Sequence, residues 1–386
     1  MNQFGLELQR QIAGPNANVC LSPYSIETAF AMTYAGSAGR TRREMASVFH
    51  FPTNESELHE GLATLQRMLD EAVQRGEPRI NTLPTGWNPG DPLTLSVANR
   101  LFGRNGVRIQ APFLSLTRDR YGAPLETLDF LHHTEASRLQ INAWVAEQTR
   151  QKILDLIPSG NLPANTELVL VNALYFRAQW ANPFQSGETH PEPFRRPGLD
   201  PIPVPMMTQE NQFGYVHRDG YTMLTLPYSG RELQLVVLLP DSPTGLPDLE
   251  RRLQATNLAA CIELPVRKLR LHMPKFRLQP PSLPLKKSLK ALGLQSAFGD
   301  SADFSRMFEE ARPGDFKISE AFHKTFIDLD ERGTEAAAAT GVIMVPSKAD
   351  PPARPIEVRI DHPFLFAVQH VPSSACLFLG RLTDPH

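Results

Sequence analysis

Few of the side chains that could act in catalysis or bind a metal stand at the spacing that a catalytic or metal site requires. His132-His133 is the one adjacent histidine pair, and neighbouring residues point in different directions on a strand or helix, so it makes a poor metal site. Ser37 lies in AGSAG, which lacks the first glycine of the G-x-S-x-G nucleophile elbow. The sequence contains no HExxH, P-loop or G-x-G-x-x-G motif. It therefore predicts no enzyme, no metal and no cofactor, and a hydrolase is disfavoured.

Composition limits the partners and the compartment. The chain has 386 residues, a formal net charge of -2 and a pI of about 6.6, so we expect no affinity for nucleic acid or anionic membranes. Cys20, Cys261 and Cys376 form no CxxC pair and predict free, buried thiols. No signal peptide and no membrane-spanning stretch is visible, which leaves open a cytoplasmic protein or a secreted one whose signal has been removed.

The surrounding elements predict an α+β fold in one large domain, residues 1–386. Ser22-Pro23 is typical of a helix start, and the helix that follows is rich in small residues that can sit close under a sheet. Thr166 to Phe176 predicts a strand of a buried central sheet. Strands and helices follow one another without a βαβ rhythm. Further expected elements are helices over 137–153 and 284–292 and a surface loop over 76–92.

A segment of small residues, ERGTEAAAAT at Glu331 to Thr340, is the most unusual feature of the chain. A short helix is its ordinary interpretation, since four alanines are poor turn formers. However, TGVIMV at Thr340 to Val345 is too apolar for permanent exposure. The segment therefore suggests a strand that begins outside the fold and is buried later.

Ten short motifs follow one another along nearly the whole chain. They are NVCLSPYSIETAFAM, INAWVAEQTRQKI, LVLVNALYFRAQWANPF, VPMM, LPYSGRELQLVVLLPD, MPKFRL, LKALGLQSAF, FHKTFIDLDERGTEAAAATG, DHPFLFAVQH and FLGRL. Each motif is weak alone, but their order and spacing are specific, and together they resemble the serpins. The resemblance implies a single serpin-type domain with three β-sheets, eight or nine helices, and an exposed hinge and reactive-centre loop at residues 331–355.

The resemblance also assigns individual residues. The shutter, the region under the sheet where strands must part, would hold Ser22, Ser25, Asn172 and His323. Trp180 would lie near the breach, where the loop first enters the sheet. The ordinary interpretation of the four polar residues is that they are buried and hydrogen-bonded, and that of Trp180 is a core aromatic. The hinge would consist of Glu331, Gly333, Thr334, Glu335, Ala336, Ala337, Ala338 and Ala339.

By the same resemblance, a target serine or cysteine protease attacks the loop, forms an acyl-enzyme, and is trapped when the cleaved loop inserts into the central sheet. The protein would act as a monomer. Side chains alternate between the two faces of a strand, and this pattern supports insertion. Glu335 falls on the outer face, whereas Thr334 should be the first side chain to turn inward when the sheet opens. The residues of the inner face are all uncharged: Thr334, Ala336, Ala338, Thr340, Val342 and Met344.

The position of the cleaved bond follows from the family's spacing. Counting from Gly333 gives Ser347-Lys348, which suits an elastase-like or subtilisin-like protease, whereas a slip to Lys348-Ala349 suits a trypsin-like one. Two departures from the family stand out. Arg332 replaces an acidic or small residue, and a longer, proline-containing loop leaves the bond open within 344–349. Arg354-Pro355 is disfavoured because proline after the cut resists most serine proteases.

The alternative is a non-inhibitory serpin that acts as a carrier, chaperone or storage protein. Its hinge would usually hold charged or bulky residues or proline on the inner face. TEAAAAT at Thr334 to Thr340 has none there, so inhibition is the favoured function.

Overall fold

A computed structural model describes residues 1–14, 16–75, 93–334 and 354–385 of the chain. The expected surface loop at 76–92 and the loop residues 335–353 lie outside the described residues. Within the described ranges the helices are α1 (Asn2–Ile12), α2 (Pro23–Ala35), α3 (Gly39–Val48), α4 (Glu55–Arg75), α5 (Ala111–Tyr121), α6 (Thr134–Gln148), α7 (Leu246–Arg252), α8 (Ala255–Ala259) and α9 (Lys286–Leu292).

Sixteen strands are assigned over the same ranges, and most belong to long antiparallel ladders. They are β1 (Val19–Leu21), β2 (Thr94–Arg104), β3 (Glu126–Leu128), β4 (Leu168–Gln179), β5 (Thr189–Phe194), β6 (Ile202–Arg218), β7 (Tyr221–Pro227), β8 (Leu233–Pro240), β9 (Val266–Pro274), β10 (Phe276–Leu278), β11 (Leu283–Pro284), β12 (Ile318–Leu329), β13 (Gly333–Thr334), β14 (Ile356–Arg359), β15 (Phe364–His370) and β16 (Ala375–Leu382).

The strands form three sheets. The central sheet has the order β10-β12-β13-β4-β2-β3, with β11 paired to β12. The other strands form one continuous network in the order β1-β16-β15-β8-β7-β6-β9-β14, with β5 paired to β6. This network contains the second and third sheets. Strand β6 belongs to both of them, because Met206–Gly214 pairs with β9 and Gly214–Arg218 pairs with β7. The predicted α+β fold with three sheets and eight or nine helices is confirmed.

Strand β4 is buried on both faces, as its apolar sequence predicts. Leu170 faces the core that surrounds α2, and Leu174 faces the core shared with the second strand network. Val171 and Tyr175 point the other way, into the core under α6. Because side chains alternate along a strand, a run of large apolar residues can fill both layers at once. The central sheet therefore lies between α2 and α6.

Helix α2 begins as the sequence predicts. The Ser22 hydroxyl caps it by accepting a hydrogen bond from the Ser25 backbone N–H at 3.0 Å, and Pro23 occupies the first turn. All residues of α2 are buried, which requires the small side chains of its sequence.

Two predicted helices have different bounds in the structure. Helix α6 ends at Gln148 instead of continuing to 153, because Arg150 and Gln151 adopt the left-handed region with φ of 50° and 62°. The second begins at Lys286, because Pro284 pairs with Phe322 in the short strand β11.

Candidate functional site

The central sheet is closed along one part of its length and split at the other. Strands β4 and β12 are parallel neighbours over Leu168–Tyr175 and Ile318–Phe326. Beyond Tyr175 they separate, and β13 lies between them. Thr334 pairs with Ala178 of β4 and with Leu329 of β12, antiparallel to both. The split end is therefore a slot whose first position is already occupied.

A tight turn brings the chain from β12 into this slot. The Asp330 carboxylate accepts hydrogen bonds from the backbone N–H groups of Arg332 at 2.8 Å and Gly333 at 3.3 Å. Gly333 has φ of 153°, and a Cβ at this position would lie 1.9 Å from the Ala178 carbonyl oxygen. Only glycine fits this approach of two backbones, so Gly333 allows the hinge to enter the sheet.

Thr334 is buried in this structure, with a relative exposure of 0%. Its hydroxyl lies 2.9 Å from the Tyr228 hydroxyl, and Tyr228 stacks on Trp180 with ring centroids 4.6 Å apart. The sequence predicts that Thr334 is the first side chain to turn inward when the sheet opens, whereas in the structure it already lies inside the uncleaved protein. The reason is that β4 and β12 have already separated at this level and Tyr228 supplies a polar partner.

Trp180 holds the turn that precedes the hinge. Its backbone N–H donates to the Arg332 carbonyl at 2.7 Å, and its indole N–H donates to the Asp330 carbonyl at 3.0 Å. Tyr228 covers one face of the ring system. Trp180 therefore does more than fill the core, because it fixes the path by which the chain enters the slot.

Glu331 anchors the same turn by charge. Its carboxylate accepts a hydrogen bond from the Lys275 ammonium at 2.8 Å and another from the Thr189 hydroxyl at 2.8 Å. Burial alone would raise the pKa of Glu331, but the Lys275 ammonium and the Thr189 hydroxyl hold it below its usual value. The carboxylate thus stays charged and ties the hinge to the end of β9 and to β5.

A row of polar side chains crosses the closed part of the sheet. Asn99 of β2, Asn172 of β4 and His323 of β12 are register partners across the three strands. Ser25 donates its hydroxyl hydrogen to the Asn99 side-chain oxygen at 2.7 Å, and the Ser22 backbone N–H donates to the His323 Nε2 at 2.9 Å. This row, together with the start of α2, holds β4 and β12 against each other.

His323 is neutral in this arrangement. Its Nε2 accepts from the Ser22 backbone, so the ring proton is on Nδ1, which donates to the Asn172 side-chain oxygen. Burial lowers the pKa of His323 to about 3, although the Asn172 contact opposes this shift. A proton on Nε2 would face the Ser22 N–H, which is also a donor.

We expect acid to destabilise the protein through His323. The unfolded state binds this proton near the ordinary histidine pKa of 6.5 and the folded state only near 3, so stability is full above pH 6.5 and is lost as the pH falls. Each pH unit between these limits costs up to about 1.4 kcal/mol. The first urea unfolding transition at pH 7 and pH 5 measures this loss. The loss should shrink in His323→Asn and persist in the exposed control His132→Asn; equal losses in both variants contradict the prediction.

The structure brings Ser22, Ser25, Asn172 and His323 together. Their role as a shutter, which the resemblance implies, stays a prediction. Trp180 lies at the split end of the slot, where Ala178 is six residues beyond Asn172 along β4, or about 20 Å. Glu331, Gly333 and Thr334 lie there with it. The remaining predicted site residues fall outside the described residues: Glu335, Ala336, Ala337, Ala338, Ala339, Ser347 and Lys348.

Sequence reasoning missed five residues of the site, namely Asn99, Thr189, Tyr228, Lys275 and Asp330. Asn99 could have been suspected as one of the polar residues of the predicted strand LTLSVANRLF. Tyr228 and Lys275 lie within two of the serpin-like motifs, LPYSG and MPKF, but nothing local in either shows that it contacts the hinge.

The described residues contain no group of three or more side chains suited to holding a metal ion. No described helix combines the length and the apolar character needed to cross a membrane. Cys20, Cys261 and Cys376 are all buried and unpaired, and burial raises the pKa of the Cys20 and Cys261 thiols to about 12.

Comparison with known proteins agrees with this architecture. The family model described as "Serpin (serine protease inhibitor)" matches residues 1–385. Leukocyte elastase inhibitor from Sus scrofa is 38% identical over 99% of this chain and 98% of its own length. The structure of Serpin48, a highly specific serpin of the insect Tenebrio molitor, is 29% identical and superposes with a TM-score of 0.82 over 100% of this chain and 96% of its own.

The fold is also shared with a protein whose structure contains a bound small molecule. Human thyroxine-binding globulin in complex with thyroxine is 27% identical, with a TM-score of 0.84 over 100% of this chain and 97% of that one. The overall likeness therefore establishes the family, while function has to be argued from the hinge and the slot. The split central sheet, the glycine turn into it and the match over nearly the whole length identify this chain as a member of the serpin family of serine protease inhibitors.

Proposed function

We propose that this protein is a suicide-substrate inhibitor of serine proteases and that its target is elastase-like. The observation that carries the proposal is the position of β13, already paired with β4 and β12 at the open end of the slot. The next inner-face residues, Ala336 and Ala338, are small and uncharged. The strand can therefore extend into the slot without burying a charge.

The chemistry belongs to the protease. Its serine oxygen attacks the Ser347 carbonyl carbon, the amine of Lys348 leaves with a proton, and an ester joins the two proteins. Strand insertion then carries the acylated protease along the sheet. Displacing the ester from even one oxyanion-hole donor slows its hydrolysis by about 10²–10³. Since this chain need only insert its loop, its rate of insertion decides the outcome.

The choice of an elastase-like target has two supports. A serine before the cleaved bond fits the small S1 pocket of elastases. The relatives from pig and human are both named leukocyte elastase inhibitors. Lys348 offers a neighbouring bond to a trypsin-like protease, whose S1 pocket contains an aspartate.

Incubation with elastase, subtilisin and trypsin, followed by denaturing gel electrophoresis, tests the function. We expect a covalent complex containing one copy of each protein with elastase, and none with elastase whose serine has been blocked. Mass spectrometry should find a released C-terminal fragment that begins at Lys348, or at Ala349 with trypsin. Clean cleavage without a complex would instead indicate a non-inhibitory serpin. A fragment beginning before Val342 would contradict the insertion mechanism, since too short a strand would remain.

A further inference from the structure

Side chains hold the end of the β4–β12 ladder that lies furthest from the slot. The register of the two strands shifts between Ile318 and Glu320, which places Ser319 in a bulge. The Ser319 hydroxyl accepts a hydrogen bond from the Glu167 backbone N–H at 2.9 Å, and the Glu167 carboxylate accepts one from the Lys317 backbone N–H at 2.7 Å. Both bonds join the start of β4 to the start of β12, and together they form a lower clasp.

Each half of the lower clasp is fixed to a different part of the fold. On the β4 side, the Glu167 carbonyl accepts a hydrogen bond at 2.9 Å from the backbone N–H of Arg104, the last residue of β2. On the β12 side, the Lys286 ammonium at the start of α9 donates to the Ser319 carbonyl at 2.8 Å. If β4 parts from β12, the two halves move with separate parts of the molecule, so the clasp cannot stay closed.

The lower clasp lies at the level that the last inserted residues would reach. Thr334 already pairs with Ala178, antiparallel to β4. If the same register continues, Met344, ten residues further along the loop, pairs with Leu168, ten residues back along β4. An inserted strand would increase the distance between β4 and β12 from one strand spacing of about 4.8 Å to two. A hydrogen bond cannot span the wider gap, so complete insertion requires the clasp to open.

The polar row at Asn172 stands at a different level from the lower clasp. Asn172 is five residues beyond Glu167, or about 17 Å along β4. A strand that extends from Thr334 reaches the row first and the clasp last. The row must therefore open for insertion to pass the middle of the sheet, whereas the clasp limits only the final part.

That final part decides how far the protease is carried. The predicted cleaved bond follows Ser347, three residues beyond Met344. Each residue that stays out of the sheet shortens the travel of the acylated protease by about 3.3 Å. We propose that Glu167 and Ser319 are positioning residues for protease trapping, which hold the sheet shut in the intact protein and must release it before insertion is complete. Neither residue touches the protease, and the inference rests on the proposed inhibitory function.

Calorimetry of intact and loop-cleaved protein tests the clasp. Glu167→Ala combined with Ser319→Ala removes both acceptors and should lower the melting temperature of the intact protein by at least about 3 °C. The same change should shift the cleaved protein by less than about 1 °C, because its clasp is already open. Glu167→Gln combined with Ser319→Thr keeps both acceptor oxygens and should restore most of the intact value.

A matched control shows what an ordinary buried hydrogen bond does. The Ser37 hydroxyl donates to the Tyr34 carbonyl at 2.7 Å in the connection between α2 and α3. Ser37→Ala should therefore lower the melting temperatures of intact and cleaved protein alike. If the alanine variant of the clasp behaves in the same way, or leaves the intact protein unchanged, the clasp does not open on insertion and the proposal is wrong.

A reversible lock tests the same level during trapping. Leu168 and Ile318 are register partners, so Leu168→Cys combined with Ile318→Cys places two thiols within reach of a disulfide. After oxidation with diamide, this variant should give at least about tenfold less covalent complex with elastase, and reduction should restore the yield. Reduction alters no natural bond, because Cys20, Cys261 and Cys376 are free. Equal trapping by the oxidised and reduced forms contradicts the proposal.

The two experiments separate this inference from the proposed function. If neither the wild type nor the reduced lock variant forms a covalent complex with any protease, the inhibitory function fails. The calorimetric comparison then still decides whether the clasp opens when the cleaved loop inserts. If complexes form but oxidation of the lock has no effect, the function stands and the role of Glu167 and Ser319 is wrong.

Discussion

Thr334→Arg is expected to convert the inhibitor into a substrate. The Thr334 side chain is fully buried against Tyr228, and an arginine there would place an unpaired charge under the sheet at a cost of several kcal/mol. The hinge must then stay outside, and each 1.4 kcal/mol added to the insertion barrier slows insertion about tenfold. The yield of covalent complex should fall at least about tenfold, while the loop is still cut at the same bond and active protease is released.

Two control variants separate the effect of the buried charge from the effect of disrupting the hinge contacts. Thr334→Val keeps the branched shape and loses only the hydroxyl contact to Tyr228, so most of the inhibition should remain. Glu335→Arg introduces the same charge one residue further along, on the face that alternation directs to solvent. Stopped-flow measurement of protease trapping compares the three variants. If Thr334→Arg and Glu335→Arg inhibit equally well, the face assignment is wrong.

Cleaving the loop near Ser347 should raise the melting temperature by more than about 10 °C. In the intact protein β4 and β12 share one parallel ladder over Leu168–Tyr175, and β13 pairs with both only at the split end. Insertion of residues 334–346 replaces that single ladder with two antiparallel ones. The gain is on the order of ten hydrogen bonds, each worth about 1 kcal/mol net.

Differential scanning calorimetry of intact and cleaved protein measures this gain. Cleaved Thr334→Arg is the matched control, because the same bond is cut while the first inner-face position resists burial. Its rise in melting temperature should be much smaller. If intact and cleaved wild type melt at the same temperature, the loop does not insert and the trapping mechanism fails.

Local chemistry was enough to predict many elements of this protein. The Ser22-Pro23 cap, the small residues of α2 and the apolar run of β4 each obey rules that act within a few residues. The unusual hinge composition was also visible, because alternation along a strand needs no knowledge of the partner strands. Family resemblance supplied the remainder of the architecture, since the order of the motifs is specific even though each one is weak.

The contacts of the hinge and shutter depended on the tertiary structure. Tyr228 meets Thr334 across 106 residues of sequence, and Lys275 meets Glu331 across 56. Asn99 joins the shutter row only because β2, β4 and β12 adopt one particular register. The register of neighbouring strands depends on how whole sheets pack. A shift of one residue in that register would turn each of these side chains to the opposite face of its sheet. Sequence therefore determined the cap of α2, the doubly buried strand β4 and the uncharged inner face of the hinge, and packing decided that Thr334 is buried before any protease cuts the chain.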